Sequence, residues 1–185
     1  MKTIDYYMTP GSPWTYLGHE RLAAIARKHG AQISVKPVDF GVIFPQSGGL
    51  PLPKRAPQRQ AYRLVELKRW KEHLGLSLVI QPKHSPVNAN PACHLICAAS
   101  EERRMAIAGD FLAALWKDDR NIADPELLKQ IGSKYGVTQG DEEKYKAFTQ
   151  EALERGVFGA PSYVYRGEIF WGQDRLEFLD RALAK

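Results

Sequence analysis

The chain has 185 residues, with 26 basic and 21 acidic side chains, a net charge of +5 and 44% hydrophobic residues. That length and apolar content suit one compact domain and exclude a collagen-like, disulfide-stapled or wholly disordered chain. No apolar run reaches the roughly 18 residues a membrane span needs, and Met1-Lys2-Thr3-Ile4-Asp5 has no apolar segment behind it. Neither a membrane partner nor a signal peptide is therefore expected. Cys93 and Cys97 are the only cysteines, which points to a thiol-reducing, cytosolic setting.

In chain order, residues 3–8 (TIDYYM) are β-branched and aromatic, and predict a strand. Pro10-Gly11 breaks it. Ser12-Pro13 then opens a helix, with serine as N-cap and proline at the first helical position. Lys28-His29-Gly30 closes that helix, and residues 33–38 (ISVKPV) predict a second strand, with Pro37 marking an edge or an end. Strand, helix and strand within some forty residues imply a parallel pair.

Residues 41–53 (GVIFPQSGGLPLP) are rich in glycine and proline and read as an irregular segment, functional or mobile. Helical patterns follow at 57–73, then from Pro91 to near Ala108 with a continuation or restart through Asp110 to Trp116. Two more run from Asp124-Pro125 to Lys134 and over 141–155. No repeat and no strand-like stretch occurs in this half. The period changes again near the C-terminus. Residues 162–165 (SYVY) and 168–171 (EIFW) flank Arg166-Gly167 as a hairpin, and 174–184 are amphipathic, with Asp174 as the candidate cap.

Charge is concentrated. Between Lys54 and Glu72 there are seven basic residues and two acidic ones, an excess equal to the whole net charge. A solvated helix face, an anionic small-molecule site and a nucleic-acid patch are the open readings. The last is disfavoured because no recognised binding module accompanies the cluster, so no nucleic-acid partner is expected. Cys93, His94 and Cys97 lack a second ligand pair at zinc spacing and predict a core helix face, with no metal. In the stretch His84-Ser85-Pro86-Val87-Asn88, His84 and Asn88 are either turn residues or lining of a pocket. Trp14 and Trp116 are core, or the wall of an aromatic-substrate site.

The order βαβ, helices, ββα is that of an α/β, thioredoxin-like fold with an inserted helical subdomain. Residues 1–40 and 156–185 would form the thioredoxin-like part and 41–155 the insertion. No CxxC stands at the first strand–helix junction, so thiol–disulfide exchange, which needs an attacking and a resolving thiol, is disfavoured. A serine there can instead donate a hydrogen bond to an anion that the helix N-terminus already favours.

Three motifs, Ser12-Pro13-Trp14-Thr15-Tyr16-Leu17, Gly156-Val157-Phe158-Gly159-Ala160-Pro161 and Phe170-Trp171-Gly172-Gln173-Asp174-Arg175-Leu176, carry a resemblance in order and spacing. The chain resembles the 2-hydroxychromene-2-carboxylate isomerases, relatives of the kappa-class glutathione transferases. The resemblance implies glutathione as cofactor, with Ser12 on its sulfur and Ala160, before a cis-proline at Pro161, pairing its backbone with the cysteinyl group. It further implies Gln173 and Asp174 at the γ-glutamyl end, and Arg59 or Lys54 as a carboxylate contact. Trp14 and Asn88 would face an aromatic carboxylate substrate, isomerised to the trans-benzylidenepyruvate by reversible thiolate addition, in a homodimeric enzyme. Kappa-type conjugation to electrophiles is the alternative activity. A disulfide oxidoreductase and a non-catalytic thiol-peptide binding module are the remaining ones. The family pattern is not matched everywhere. Trp14 stands where tyrosine is commoner, Met8-Thr9-Pro10-Gly11 replaces an Asp-containing lead-in, and residues 44–57 lack the Asn-x-Pro-Pro segment.

Overall fold

The computed structural model describes residues 1–185. β1 (Thr3–Met8) sends Ile4, Tyr6 and Met8 into the main core and Tyr7 into a smaller one on the opposite face. It pairs in parallel with β2 (Gln32–Pro37), placing Tyr6 opposite Val35. It pairs antiparallel with β3 (Ser162–Tyr165), placing Tyr6 opposite Tyr163, and β3 continues into β4 (Glu168–Trp171). The order across the sheet is β2-β1-β3-β4, so Pro37 ends an edge strand as the sequence predicts. Arg166 and Gly167 both take positive φ, 51° and 82°, the geometry of a tight two-residue hairpin turn.

α1 (Pro13–His29) connects β1 to β2. Its N-cap Ser12 accepts from the Thr15 amide, Pro13 opens it, and Gly30 closes it in the left-handed conformation. Six helices follow before β3: α2 (Phe40–Ser47), α3 (Pro57–Leu74), α4 (Asn90–Ala98), α5 (Glu101–Trp116), α6 (Pro125–Lys134) and α7 (Glu142–Glu154). No strand lies between residues 41 and 155. After β4 the chain makes one short 3₁₀ turn and ends in α8 (Leu176–Leu183).

Three local expectations need correction. Residues 41–53 are not uniformly irregular. Asp39 caps the Gly41 amide at 2.7 Å, and Phe40 and Ile43 bury themselves with Tyr7, Val38 and Val157, which outweighs the helix-breaking Pro45. The long helix from Pro91 breaks at Ala99-Ser100, both extended, rather than near Ala108. Glu101 and Glu102 follow in the first turn of α5, where the helix dipole favours acids. Asp174 does not cap α8: it lies in the 3₁₀ turn, with its carboxylate 2.6 Å from Arg175.

One buried cluster joins the two parts of the chain, running from Ile4 and Tyr6 in the sheet to Phe111, Leu115 and Ile131 in the helices. The helical segment is thus packed as part of the same core. Cys93 and Cys97 are buried within it, as expected. Lys36 is nearly buried on β2, but its ammonium lies 2.9 Å from Asp5 on β1 and 2.7 Å from Glu151 on α7, so the charge is compensated. Tyr7 donates to the same Glu151 carboxylate at 2.7 Å.

His19 is the other buried polar anchor. Its Nδ1 lies 3.3 Å from the Tyr6 hydroxyl and its Nε2 3.0 Å from the Met105 carbonyl of α5. Burial pushes its pKa below the ordinary 6.5, against the opposing pull of the Met105 carbonyl and Glu20. The folded protein therefore holds it neutral, while the unfolded chain takes up a proton below about pH 6.5. The stabilisation is complete above that pH and is lost as pH falls towards the lowered folded value. Denaturant midpoints measured across this window should fall on acidification, and His19→Gln should flatten that slope. An unchanged slope would show that His19 is not the group responsible.

Candidate active-site cleft

The end of β1 and the start of α1 meet the β3–β4 hairpin across a cleft roofed by α2, the following loop and α3. Two cavities of about 570 and 500 Å³ make up this cleft. They form one space, because Trp14, Arg55, Arg59, Arg63, Ala160 and Trp171 line both. The size suits a peptide-sized ligand together with a small aromatic one.

Ser12 stands at the mouth of α1, half-buried and lining the larger cavity. Its Oγ accepts from the Thr15 amide at 3.3 Å, which uses a lone pair and leaves its O–H free to donate. The same hydroxyl can thus cap the helix and bind an anion in a field that favours negative charge. Across from it the Ala160–Pro161 peptide bond is cis. Ala160 lines both cavities, and the Pro161 carbonyl accepts from the Gly172 amide at 2.8 Å, tying the third motif to the second. Gly172 has φ 99°, and a Cβ there would lie 2.5 Å from the Asp174 carboxylate. That position needs glycine for its backbone and for space.

The electrostatic character comes from α3. Arg55, just before the helix, and Arg59 and Arg63 on it follow one another at four-residue intervals and all line the cleft, with Arg55 Nε donating to the Leu50 carbonyl at 2.8 Å. Glu66, an acidic residue of the same wall, is held by Arg69 at 2.7 Å, and Arg55, Arg59 and Arg63 make no ion pair. Burial, and then the neighbouring Arg55, lower the pKa of Arg63; burial, and then Arg59, lower that of Arg55. Like charges so arranged repel one another and favour a bound anion. Trp14, Phe44, Phe158 and Trp171 supply flat apolar surface beside them, with Phe158 and Trp171 centred 4.9 Å apart.

Several sequence-derived assignments find a place here. Ser12, Trp14, Arg59 and Ala160 line the cleft, and Asp174 faces its second cavity beside Arg175. Gln173 forms part of that wall but is buried, and both its side-chain oxygen and its backbone carbonyl accept from Arg21. Asn88 is outside the lining: its Oδ1 closes a turn by accepting from the Asn90 amide at 3.1 Å. Its neighbours Ser85, Pro86 and Val87 reach the cavity instead. Lys54 is exposed on the short turn before α3 and borders neither cavity. Trp116 is core rather than pocket wall. Arg55 and Arg63 belong to the basic cluster between Lys54 and Glu72, for which an anionic small-molecule site is one of the open sequence readings, and the structure brings both to the cleft with Arg59. Phe44 and Phe158 had no such signal, since only the fold brings them beside Ser12. The cleft contains no thiol, and burial raises both remote cysteines, Cys97 to about 12.

A parallel βα unit completed by a ββα unit, with a helix N-terminus facing a cis-proline across a cleft, defines a thioredoxin-fold protein. The family described as DSBA-like thioredoxin domain matches residues 3–184, and the chain belongs to it. Among curated proteins it is similar to the 2-hydroxychromene-2-carboxylate isomerase of Sphingobium xenophagum, at 28% identity over 98% of both chains. It is similar also to the isomerase of the same name from Pseudomonas putida, at 25% identity over 98% of this chain and 94% of the other. Among solved structures, a 2-hydroxychromene-2-carboxylate isomerase superposes with a TM-score of 0.84 at 25% identity, covering 98% of this chain and 94% of that one. The resemblance carried by the three motifs thus extends over the full length.

The unpaired arginines give a test independent of any named ligand. Arg63→Met removes one of three mutually repelling cations while keeping the apolar stem, so at low salt the ligand-free protein should melt about 1–2 °C higher. The stabilisation that citrate confers on the wild type should fall in the variant. Equal citrate stabilisation of both proteins would remove Arg63 from the anion site.

Proposed function

We propose that the protein is a glutathione-dependent isomerase that converts 2-hydroxychromene-2-carboxylate, or a related aromatic carboxylate, to the trans-benzylidenepyruvate. The isomerase class rests on full-length likeness to the curated isomerases. The observation that carries the glutathione assignment is a free serine hydroxyl at a helix N-terminus, inside a cleft with unpaired arginines and no thiol of its own.

The residues present fit such a ligand. Ser12 donates to a thiolate and, with the free amides of α1, stabilises it relative to the thiol. Ala160 offers its backbone to an extended peptide, as strand edges beside such prolines can. Arg59 and its two neighbours hold carboxylates, and Asp174 at the far end can receive an ammonium group. Trp14, Phe158 and Trp171 hold an aromatic ring flat against the reacting region and exclude water. Glutathione, when bound, would supply a thiolate able to add to the enone of the ring-opened substrate and to be eliminated again, the carbon–carbon bond being single in between. A cytosolic, thiol-reducing setting supplies the reduced thiol this requires.

Calorimetric titration should show glutathione binding, and isomerase activity should disappear when glutathione is removed. Ser12→Ala should fold, because loss of the cap costs about 1 kcal/mol. It should lower kcat/KM by roughly tenfold or more, each factor of ten corresponding to about 1.4 kcal/mol of lost transition-state stabilisation. Full activity in Ser12→Ala, or activity without glutathione, would overturn the mechanism. Assaying conjugation of glutathione to an electrophile alongside distinguishes a transferase, which would use the same cleft without the elimination.

A further inference from the structure

Ser12 is presented by a turn of four residues, Thr9 to Ser12, and that turn is held from outside the thioredoxin-like part of the chain. Within the turn, the Ser12 amide donates to the Thr9 carbonyl at 3.2 Å and the Gly11 amide to the Thr9 hydroxyl at 3.3 Å. The Pro10 carbonyl is bonded from outside the turn. It accepts at 2.9 Å from the indole N–H of Trp116, the last residue of α5, whose side chain is fully buried. Pro10 is itself buried and has no N–H, so without Trp116 its carbonyl would be left with no partner inside the protein.

Trp116 is in turn fixed. Its own carbonyl accepts from the Val79 amide at 2.6 Å, and two residues earlier the Ser77 carbonyl accepts from Tyr16 of α1 at 2.7 Å. Segment 77–79 is therefore clamped between the first turns of α1 and the end of α5. The indole sits at the centre of a closed set of bonds that includes the helix presenting Ser12.

From this arrangement we propose that Trp116 is a positioning residue: its indole N–H holds the Pro10 carbonyl and thereby sets where the Ser12 hydroxyl points. It touches no substrate and acts only through the Thr9–Ser12 turn. The inference rests on the glutathione reading above. A buried tryptophan that serves only to fill space would lose little when its N–H alone is removed, whereas a positioning tryptophan loses its function with that one atom.

The test replaces Trp116 by phenylalanine and, should that variant fail to fold by circular dichroism, by the benzothiophene isostere of tryptophan, which keeps the shape and lacks the N–H. Glutathione affinity is measured calorimetrically, and ionisation of the bound thiol is followed by its thiolate absorbance against pH. The expected result is a raised thiol pKa in the complex and a loss of about tenfold to hundredfold in kcat, with KM for the aromatic substrate changed less than threefold. Amide exchange at Gly11 and Ser12 should also quicken in the ligand-free variant. Unchanged thiol ionisation and unchanged kcat would overturn the positioning role while leaving the glutathione reading intact. A wild-type protein that binds no glutathione would overturn both.

Discussion

Leaving β1, the chain has four residues in which to exit a buried strand, present a hydroxyl and begin a helix. The solution uses proline twice. Pro10 ends the strand without leaving an N–H to satisfy, and Pro13 starts the helix where an N–H would be free in any case. Between them, Ser12 is the residue whose side chain can cap the helix and still retain a proton to donate. The cleft depends on this turn because the opposite wall, at Ala160 and Gly172, flanks the paired strands β3 and β4 and is tied to them by the Gly172–Pro161 hydrogen bond.

Much of this was legible in the chain. Caps and stops at Ser12, Gly30 and Asp124 mark helix ends, and the change from helical to alternating period marks the return to the sheet. The misreadings share a cause. α2 exists because Phe40 and Ile43 find a buried surface supplied by Tyr7 and Val157, which are distant in sequence, and no local propensity could report it. The break at Ser100 did have a local signal in the two glutamates that follow, but an apolar run on either side masked it. In the site, short motifs revealed Ser12, Ala160 and Asp174. Asn88 was misplaced because an asparagine before a helix serves a turn as readily as a pocket, and only the Asn90 contact decides between them.

The cleft also shows how one fold can serve different thiol chemistry. A thioredoxin-type site with two cysteines carries its sulfur covalently and changes oxidation state. At the equivalent strand–helix turn this chain holds the Ser12 hydroxyl, and the cations of the cleft lie on and just before α3. In the proposed reading, the helix N-terminus at Ser12 would stabilise a thiolate while α3 would supply the cations for its carboxylates. Selectivity can then drift through α2 and α3 with little disturbance to the sheet.

The pairing of β1 with β3, in which Asp5 faces Val164, joins opposite ends of the chain. During synthesis from the N-terminus, β1, α1 and β2 emerge early, with one flank of β1 bare until β3 has been made. Ser12 is then already made, while Ala160 and Gly172 do not yet exist. A nascent or truncated chain therefore has a helix N-terminus but no cleft, together with an unpaired strand edge prone to associate with other chains. Because β1 pairs with β3 across most of the sequence, completion of the site is coupled to completion of the sheet.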